Sequence, residues 1–325
     1  MTVLFLQKPS GVWNEELPWL RSHYPNVTFT HDENPDPETL KSVEVIVSPR
    51  VSQEIVDAAP NLKAILLPMT GITHFPLETI KARGIRLGNS HGNSAGVAER
   101  AVAMILAFYG KINEYHNDLK EHRWHGFWIG RGLDDTWECI QEKRVAMIGA
   151  GEIGHFAARY LKAFDCTITG FKRTPVKELP QYYDRMVYDI DEAIDDAEIV
   201  VVTLPSTEET RGLIDAARLE RMRGALLVNV GRGDVIDEEA LFNACRDGVL
   251  RGAAIDTWYD YPQGSPTGAP SRFPFETLPN VLLSPHTAGF TRLSAERCAR
   301  ETADNLKAWL ERGELVSEAD PHAAY

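Results

Sequence analysis

Three closely spaced glycines, an arginine and a histidine carry the chemistry that this sequence suggests. Gly149-Ala150-Gly151-Glu152-Ile153-Gly154 follows the apolar run Val145–Ile148 and opens an amphipathic stretch, Ile153–Phe164. That order predicts a strand, a tight turn and a helix that cradle a dinucleotide pyrophosphate. Gly149 permits the turn, Gly151 lets the backbone approach the phosphates, and Gly154 lets the helix pack on the strand. The helix N-terminus adds N–H donors and the positive end of its dipole. Just past the next strand, where a carboxylate would grip the ribose of NAD, stand Lys172 and Arg173. Two cations there suit a 2′-phosphate, so the expected cofactor is NADP, with NAD the alternative.

Two further segments belong to the same chemistry. Asn229-Val230-Gly231-Arg232-Gly233 puts an arginine just beyond a strand, and Ser284-Pro285-His286-Thr287-Ala288-Gly289 puts a histidine just beyond another. Ligands of open parallel sheets bind at that carboxyl edge. An arginine can clamp a carboxylate with two parallel hydrogen bonds and polarise the adjoining carbonyl. A histidine can exchange the proton of a C–O–H group while hydride moves. Behind a dinucleotide turn, the pair reads as an active site. No metal is expected: His122-Arg123-Trp124-His125 has no acidic or cysteine partner to complete a cluster.

These residues need an α/β scaffold. Strand-like runs at Val3–Leu6, Val27–Thr30, Val43–Val47, Lys63–Leu67 and Ile85–Leu87 alternate with helical stretches at Glu15–Ser22, Ser52–Ala58 and Pro76–Arg83. One long helix is expected from Ala95 to Lys120. A second strand series follows at Val145–Ile148, Thr167–Phe171, Ile199–Thr203, Leu226–Asn229, Ala253–Asp256 and Val281–Ser284. Helices at Ile153–Phe164, Asp191–Ala197, Ala216–Arg221 and Glu238–Asp247 fall between most of its strands. Such alternation predicts two doubly wound parallel sheets. A last amphipathic helix, Ala295–Leu310, is stopped by Gly313. Two stretches break the pattern. Glu121–Gln141 carries Trp124, Trp128 and Trp137, and Trp258–Pro279 is rich in proline. The tryptophans are too apolar to leave in water, which predicts a homodimer interface there.

With 325 residues, 43% of them hydrophobic and 25% charged, the chain can bury two cores. A net charge of −13 disfavours nucleic acid and anionic membranes as partners. The longest apolar run, Ala101–Tyr109, is about half the length that crosses a bilayer. The N-terminus enters a strand-like run with no basic region before it, so no secretory signal is expected. Four scattered cysteines, Cys139, Cys166, Cys245 and Cys298, read as reduced thiols of a cytoplasmic protein.

Over almost its whole length the chain resembles the D-isomer-specific 2-hydroxyacid dehydrogenase family. The matching motifs are Val97-Ala98-Glu99, the glycine turn at 149–154, Thr203-Leu204-Pro205-Ser206-Thr207-Glu208-Glu209-Thr210, Asn229–Gly233, Ala254-Ile255-Asp256 and Ser284–Gly289. The resemblance implies a flavodoxin-like substrate domain (1–94 and 290–325) and a Rossmann-type cofactor domain (95–289) inserted into it. Hinges would lie near Asn89–Ser94 and Thr287–Thr291, with the last helix crossing back. It implies that Arg232 binds substrate and that His286 is the acid/base. Ser94, Leu204, Pro205, Thr210, Val230, Gly231 and Gly289 would line the cofactor, and Asp256 would hold the nicotinamide carboxamide. The backbone of Met69, Thr70, Gly71 and Ile72 would meet the substrate carboxylate.

In one place the sequence departs from the family. A glutamate five residues after the strand-end aspartate usually partners the histidine, and that position here is Tyr261. Asp260 lies one residue early and Gln263 two residues late, which leaves three candidates for the third catalytic member. The reaction implied is hydride transfer between NADPH and a 2-keto acid/D-2-hydroxy acid pair, glyoxylate- or hydroxypyruvate-like or larger. The alternative is a non-catalytic dinucleotide-sensing protein on the same scaffold.

Overall fold

The computed structural model describes residues 1–262 and 264–322. The chain falls into two compact units, Met1–Asn93 with the chain from Phe290 onward, and Ser94–Gly289.

The first unit contains strands β1 (Thr2–Phe5), β2 (Thr28–His31), β3 (Val43–Val47), β4 (Ala64–Leu66) and β5 (Arg86–Gly88). Its first helices are α1 (Trp13–His23), α2 (Pro37–Leu40), α3 (Gln53–Ala58) and α4 (Leu77–Arg83). The sheet is wholly parallel in the order β2-β1-β3-β4-β5, the flavodoxin-like arrangement. The central strands are largely apolar because helices cover both faces. Leu4, Ile46, Ile65 and Leu87 pack on one face, and Val3, Val45, Ala64 and Leu66 on the other. The second of these faces is closed partly by the last helix of the chain, through Ala303 and Leu306. That helix runs Arg292–Arg312. Thr291 caps its start, accepting the Ser294 amide at 3.0 Å, and Gly313 ends it in the left-handed region at φ 66°.

The second unit opens with α5 (Ser94–Tyr109) and α6 (Ile112–Lys120). Then come β6 (Arg144–Ile148), α7 (Glu152–Leu161), β7 (Thr167–Phe171), β8 (Arg185–Val187), α8 (Ile190–Ile194) and β9 (Ile199–Val202). The series ends with α9 (Ala216–Arg221), β10 (Leu226–Asn229), α10 (Glu238–Arg246), β11 (Gly252–Ile255) and β12 (Val281–Leu283), which makes the terminal helix α11. Seven parallel strands lie in the order β12-β11-β10-β9-β6-β7-β8. The chain starts at β6, winds outward to β8, then returns to β9 on the other side of β6. The order therefore reverses between β6 and β9, where doubly wound sheets bind their ligand.

Three expectations from sequence are corrected. The helix expected over Ala95–Lys120 is two helices: Lys111 adopts a left-handed backbone, φ 48°, and turns the chain after Gly110. β8 has no forecast counterpart, since three residues on a sheet edge leave too short a pattern to read. His125 does have acidic partners, because the Nε2 side meets Asp118 at 2.9 Å and Nδ1 meets Asp135 at 3.0 Å. Its ring also stacks on Tyr115, so these contacts pin the chain that follows α6. Asp118 first, then Asp135, pushes the His125 proton affinity up. Beyond that clamp Trp124, Phe127, Trp128, Leu133 and Trp137 are exposed.

Candidate active site

The glycine turn follows β6 as its spacing requires. Gly149 has φ 110°, and a Cβ there would sit 2.6 Å from Thr203 Oγ1. A Cβ on Gly154 would lie 2.3 Å from the Gly149 carbonyl, closer than real side chains come. At Gly151 the same test finds nothing within 4 Å. The turn is thus packed tightly behind and open in front, at the start of α7, whose N-cap is Gly151 itself. An anion drawn there would meet unsatisfied N–H groups and the positive helix end. Glu152 and Ile153 form the first turn of that helix. The amides of Gly149 and Ala150 both donate to the Phe171 carbonyl at 3.2 Å, which fixes the turn to the end of β7.

Lys172 and Arg173 stand just past β7 and are exposed. No acidic residue is adjacent in sequence, but the fold supplies one: Arg173 forms an ion pair with Glu209 from the loop after β9. That same loop is held by internal bonds. Thr210 Oγ1 donates to the Pro205 carbonyl at 2.6 Å and accepts the Thr207 amide at 2.8 Å. Its start is packed against the β10 turn, where a Cβ on Gly231 would be 2.5 Å from the Leu204 carbonyl. Leu204, Pro205, Val230 and Gly231 therefore share one edge with the glycine turn. Ser94, at the start of α5, is 1% exposed, and its hydroxyl has no partner among the described residues.

Arg232 is positioned by Asn229. The Asn229 Oδ1 accepts the Gly231 amide at 3.0 Å, and its Nδ2 donates to the Arg232 carbonyl at 2.9 Å. Gly233 behind it leaves no room for a side chain, since a Cβ would be 2.3 Å from the Trp258 carbonyl. The guanidinium donates to the Gly231 carbonyl at 2.8 Å, and among the described residues no carboxylate pairs with it. A half-buried, unneutralised guanidinium is a ready anion site.

The turn that carries His286 is held by a buried carboxylate. Asp256, 1% exposed at the end of β11, accepts the Ser284 hydroxyl, the Thr287 amide at 3.1 Å and the Ala288 amide at 3.0 Å. His286 takes the left-handed conformation, φ 55°, which turns these two following amides toward the carboxylate. Arg100 of α5 donates to Ser284 Oγ at 3.2 Å from behind. The Trp258 indole N–H donates to the Ser284 carbonyl at 2.8 Å. Asp256 thus anchors the histidine turn, a role that its place in a motif did not disclose. Burial first, then the charge of Arg232, lowers the proton affinity of His286, and Asp256 opposes them.

Of the two candidates among the described residues, Tyr261 is the one brought to His286, with ring centroids 5.3 Å apart. Asp260 instead lies toward Arg272, whose charge is held mainly by Glu238. Gln263 falls outside the described residues. In the first unit the Met69–Ile72 loop leaves the carboxyl end of β4. Thr70 Oγ1 donates to the Ser90 carbonyl at 2.8 Å, Met69 and Gly71 are partly exposed, and Ile72 is fully buried in the core.

The glycine turn, the arginine and the histidine all leave one edge of the sheet, the edge at which doubly wound sheets bind dinucleotides. Residues 102–288 match the model of the D-isomer-specific 2-hydroxyacid dehydrogenase NAD-binding domain. The chain is 32% identical to a glyoxylate reductase of Thermofilum pendens, over 83% of this chain and 78% of that one. It is 30% identical to a glyoxylate/hydroxypyruvate reductase of Arabidopsis thaliana, over 82% and 79% respectively. An NADPH-dependent glyoxylate/hydroxypyruvate reductase of Sinorhizobium meliloti, solved with NADP and malonate, superposes with a TM-score of 0.76. It is 24% identical, over 99% of this chain and 97% of that one, which speaks for the fold. This chain belongs to the D-isomer-specific 2-hydroxyacid dehydrogenase family and is an NAD(P)-dependent enzyme of that kind. The non-catalytic alternative is set aside. No helix among the described residues is long and apolar enough to cross a membrane.

Proposed function

We propose that the protein is an NADPH-dependent reductase of small 2-keto acids, with glyoxylate and hydroxypyruvate as the first candidates. The observation that carries this reading is Arg232, a half-buried guanidinium with no carboxylate partner among the described residues, on the same sheet edge as the glycine turn and His286. In this reading Ser94–Gly289 is the cofactor unit and the other is the substrate unit. Arg232 holds the substrate carboxylate and polarises the keto oxygen. His286 donates the proton that the oxygen takes as the carbonyl becomes a hydroxyl. Bound NADPH supplies the hydride to the carbonyl carbon. Asp256 has most of its hydrogen-bonding capacity committed to the histidine turn, so its contact with the nicotinamide carboxamide would be secondary.

Lys172 and Arg173 support NADP over NAD. A 2′-phosphate carries close to two negative charges, enough to compete with Glu209 for Arg173. Two such contacts together are worth roughly a hundredfold preference. The exposed Trp124, Phe127 and Trp128 support a homodimer formed through the stretch after α6. The four cysteines are free, which suits the reducing cytoplasm.

The test is NADPH and NADH consumption with glyoxylate, hydroxypyruvate, pyruvate and bulkier 2-keto acids. Turnover of a small 2-keto acid with NADPH preferred is expected, and Lys172→Asp should reverse that preference. A ratio that ignores Lys172→Asp would remove the NADP assignment, and no turnover on any member of the panel would remove the substrate class.

A further inference from the structure

The ring beside His286 belongs to Tyr261, and it is held at its hydroxyl. Its hydroxyl accepts the Trp258 amide at 3.1 Å. Trp258, buried against Phe275, sends its indole N–H to the Ser284 carbonyl, two residues before the histidine. The phenol, the indole and the Ser284–His286 turn therefore close a frame in which the two rings face at 49°. We propose that Tyr261 is the positioning residue for His286, an uncharged wall that orients the imidazole while giving it no negative neighbour at the ring.

Among the described residues of this unit the charged and titratable groups around His286 are few. Arg232 repels its proton. Asp256 attracts it, but that carboxylate is occupied by Ser284, Thr287 and Ala288. Arg100 sits behind the turn on Ser284 and Thr287. Tyr261 itself ionises only above the ordinary tyrosine range, because burial holds its proton on. The resting imidazole is therefore neutral at pH 7. On the reading proposed above, the substrate carboxylate cancels the charge of Arg232 on binding and so lets His286 take up the proton that it will donate. The acid is armed by its own substrate.

The sign of the pH effect follows. A histidine with lowered proton affinity loses its proton at lower pH than a free one. The reduction limb of kcat/KM, which reports the free enzyme, should then fall below about 6.5. The kcat limb reports the loaded enzyme and should lie at higher pH.

The test titrates ring-labelled His286 by NMR in the apo protein, with His286→Asn identifying its resonance, and then repeats the pH profiles. Wild type should titrate below about 6.5. Tyr261→Glu places a carboxylate at the ring and should raise that titration by about one pH unit or more. Tyr261→Phe keeps the ring and should leave it in place. Tyr261→Ala should lower kcat with little change in melting temperature or in NADPH affinity. A wild-type titration at or above the ordinary value, or no response to Tyr261→Glu, overturns the inference. So does an alanine variant that loses stability but keeps its kcat. The titration needs no substrate, so an inactive wild type with the expected titration would instead sink the 2-keto acid reading.

Discussion

Between Gly149 and Gly154 the chain reaches the sheet edge with its three critical positions bare. Between Ser284 and Gly289 it reaches the same edge held by side chains. At the first turn a Cβ at Gly154 or Gly149 would strike the backbone carbonyl of Gly149 or the hydroxyl of Thr203, and one at Gly151 would fill open space. At the second, a buried aspartate, a serine and an indole pin the backbone so that one imidazole stands in place. The contrast follows from the tasks. A pyrophosphate is large and multiply charged, and it is satisfied by amides, a helix end and room. A proton must pass between two particular atoms, and a donor misplaced by an ångström loses most of its effect.

Substitutions at the two turns should therefore separate binding from chemistry. His286→Asn should lower kcat by about a hundredfold or more, the usual worth of a general acid, with NADPH affinity little changed. Stopped-flow hydride transfer and cofactor fluorescence titration measure the two quantities. Unchanged turnover would take His286 out of the mechanism. Arg232→Ala should cost about 2–4 kcal/mol in kcat/KM for the keto acid, since it removes a charge-assisted clamp. Arg232→Lys should recover only part, because an ammonium cannot form the planar fork. Steady-state kinetics equal to wild type would defeat that assignment. Gly154→Ala should cost about 1–3 kcal/mol, read as weaker NADPH binding and a lower Tm, because the added methyl meets backbone that has nowhere to go. Its kcat at saturating NADPH should survive. If kcat falls instead while binding holds, the division of labour between the turns is wrong.

Much of the frame was legible beforehand, because its signals are local. Alternating apolar and amphipathic runs announce parallel sheets, and all eleven strand-like runs read from the sequence overlap strands of the structure. The glycine turn is written in six consecutive residues, and its physics is steric, so spacing suffices. Gly313 ends α11 for the same reason. Lys172 and Arg173 were visible as charges, but the carboxylate facing Arg173 was not, since Glu209 arrives from a different βα loop. A left-handed lysine at 111 also leaves no mark in a helical pattern, because lysine favours helices elsewhere.

By itself the sequence determined that a dinucleotide turn, an arginine and a histidine would share the carboxyl edge of a doubly wound sheet. Each lies within three residues of the end of its own strand, and strands of a parallel sheet end on one side. Only the tertiary structure decided what each of them touches. It gave Asp256 to the histidine turn, it left Arg232 without a carboxylate among the described residues, and it chose Tyr261 over Asp260 as the neighbour of His286. Neighbours along a proline-rich loop differ by one residue in register, and a one-residue shift turns a side chain away. Which of them meets the imidazole depends on Trp258 and Phe275 packing into the core beneath the loop, a long-range contact that no local spacing encodes.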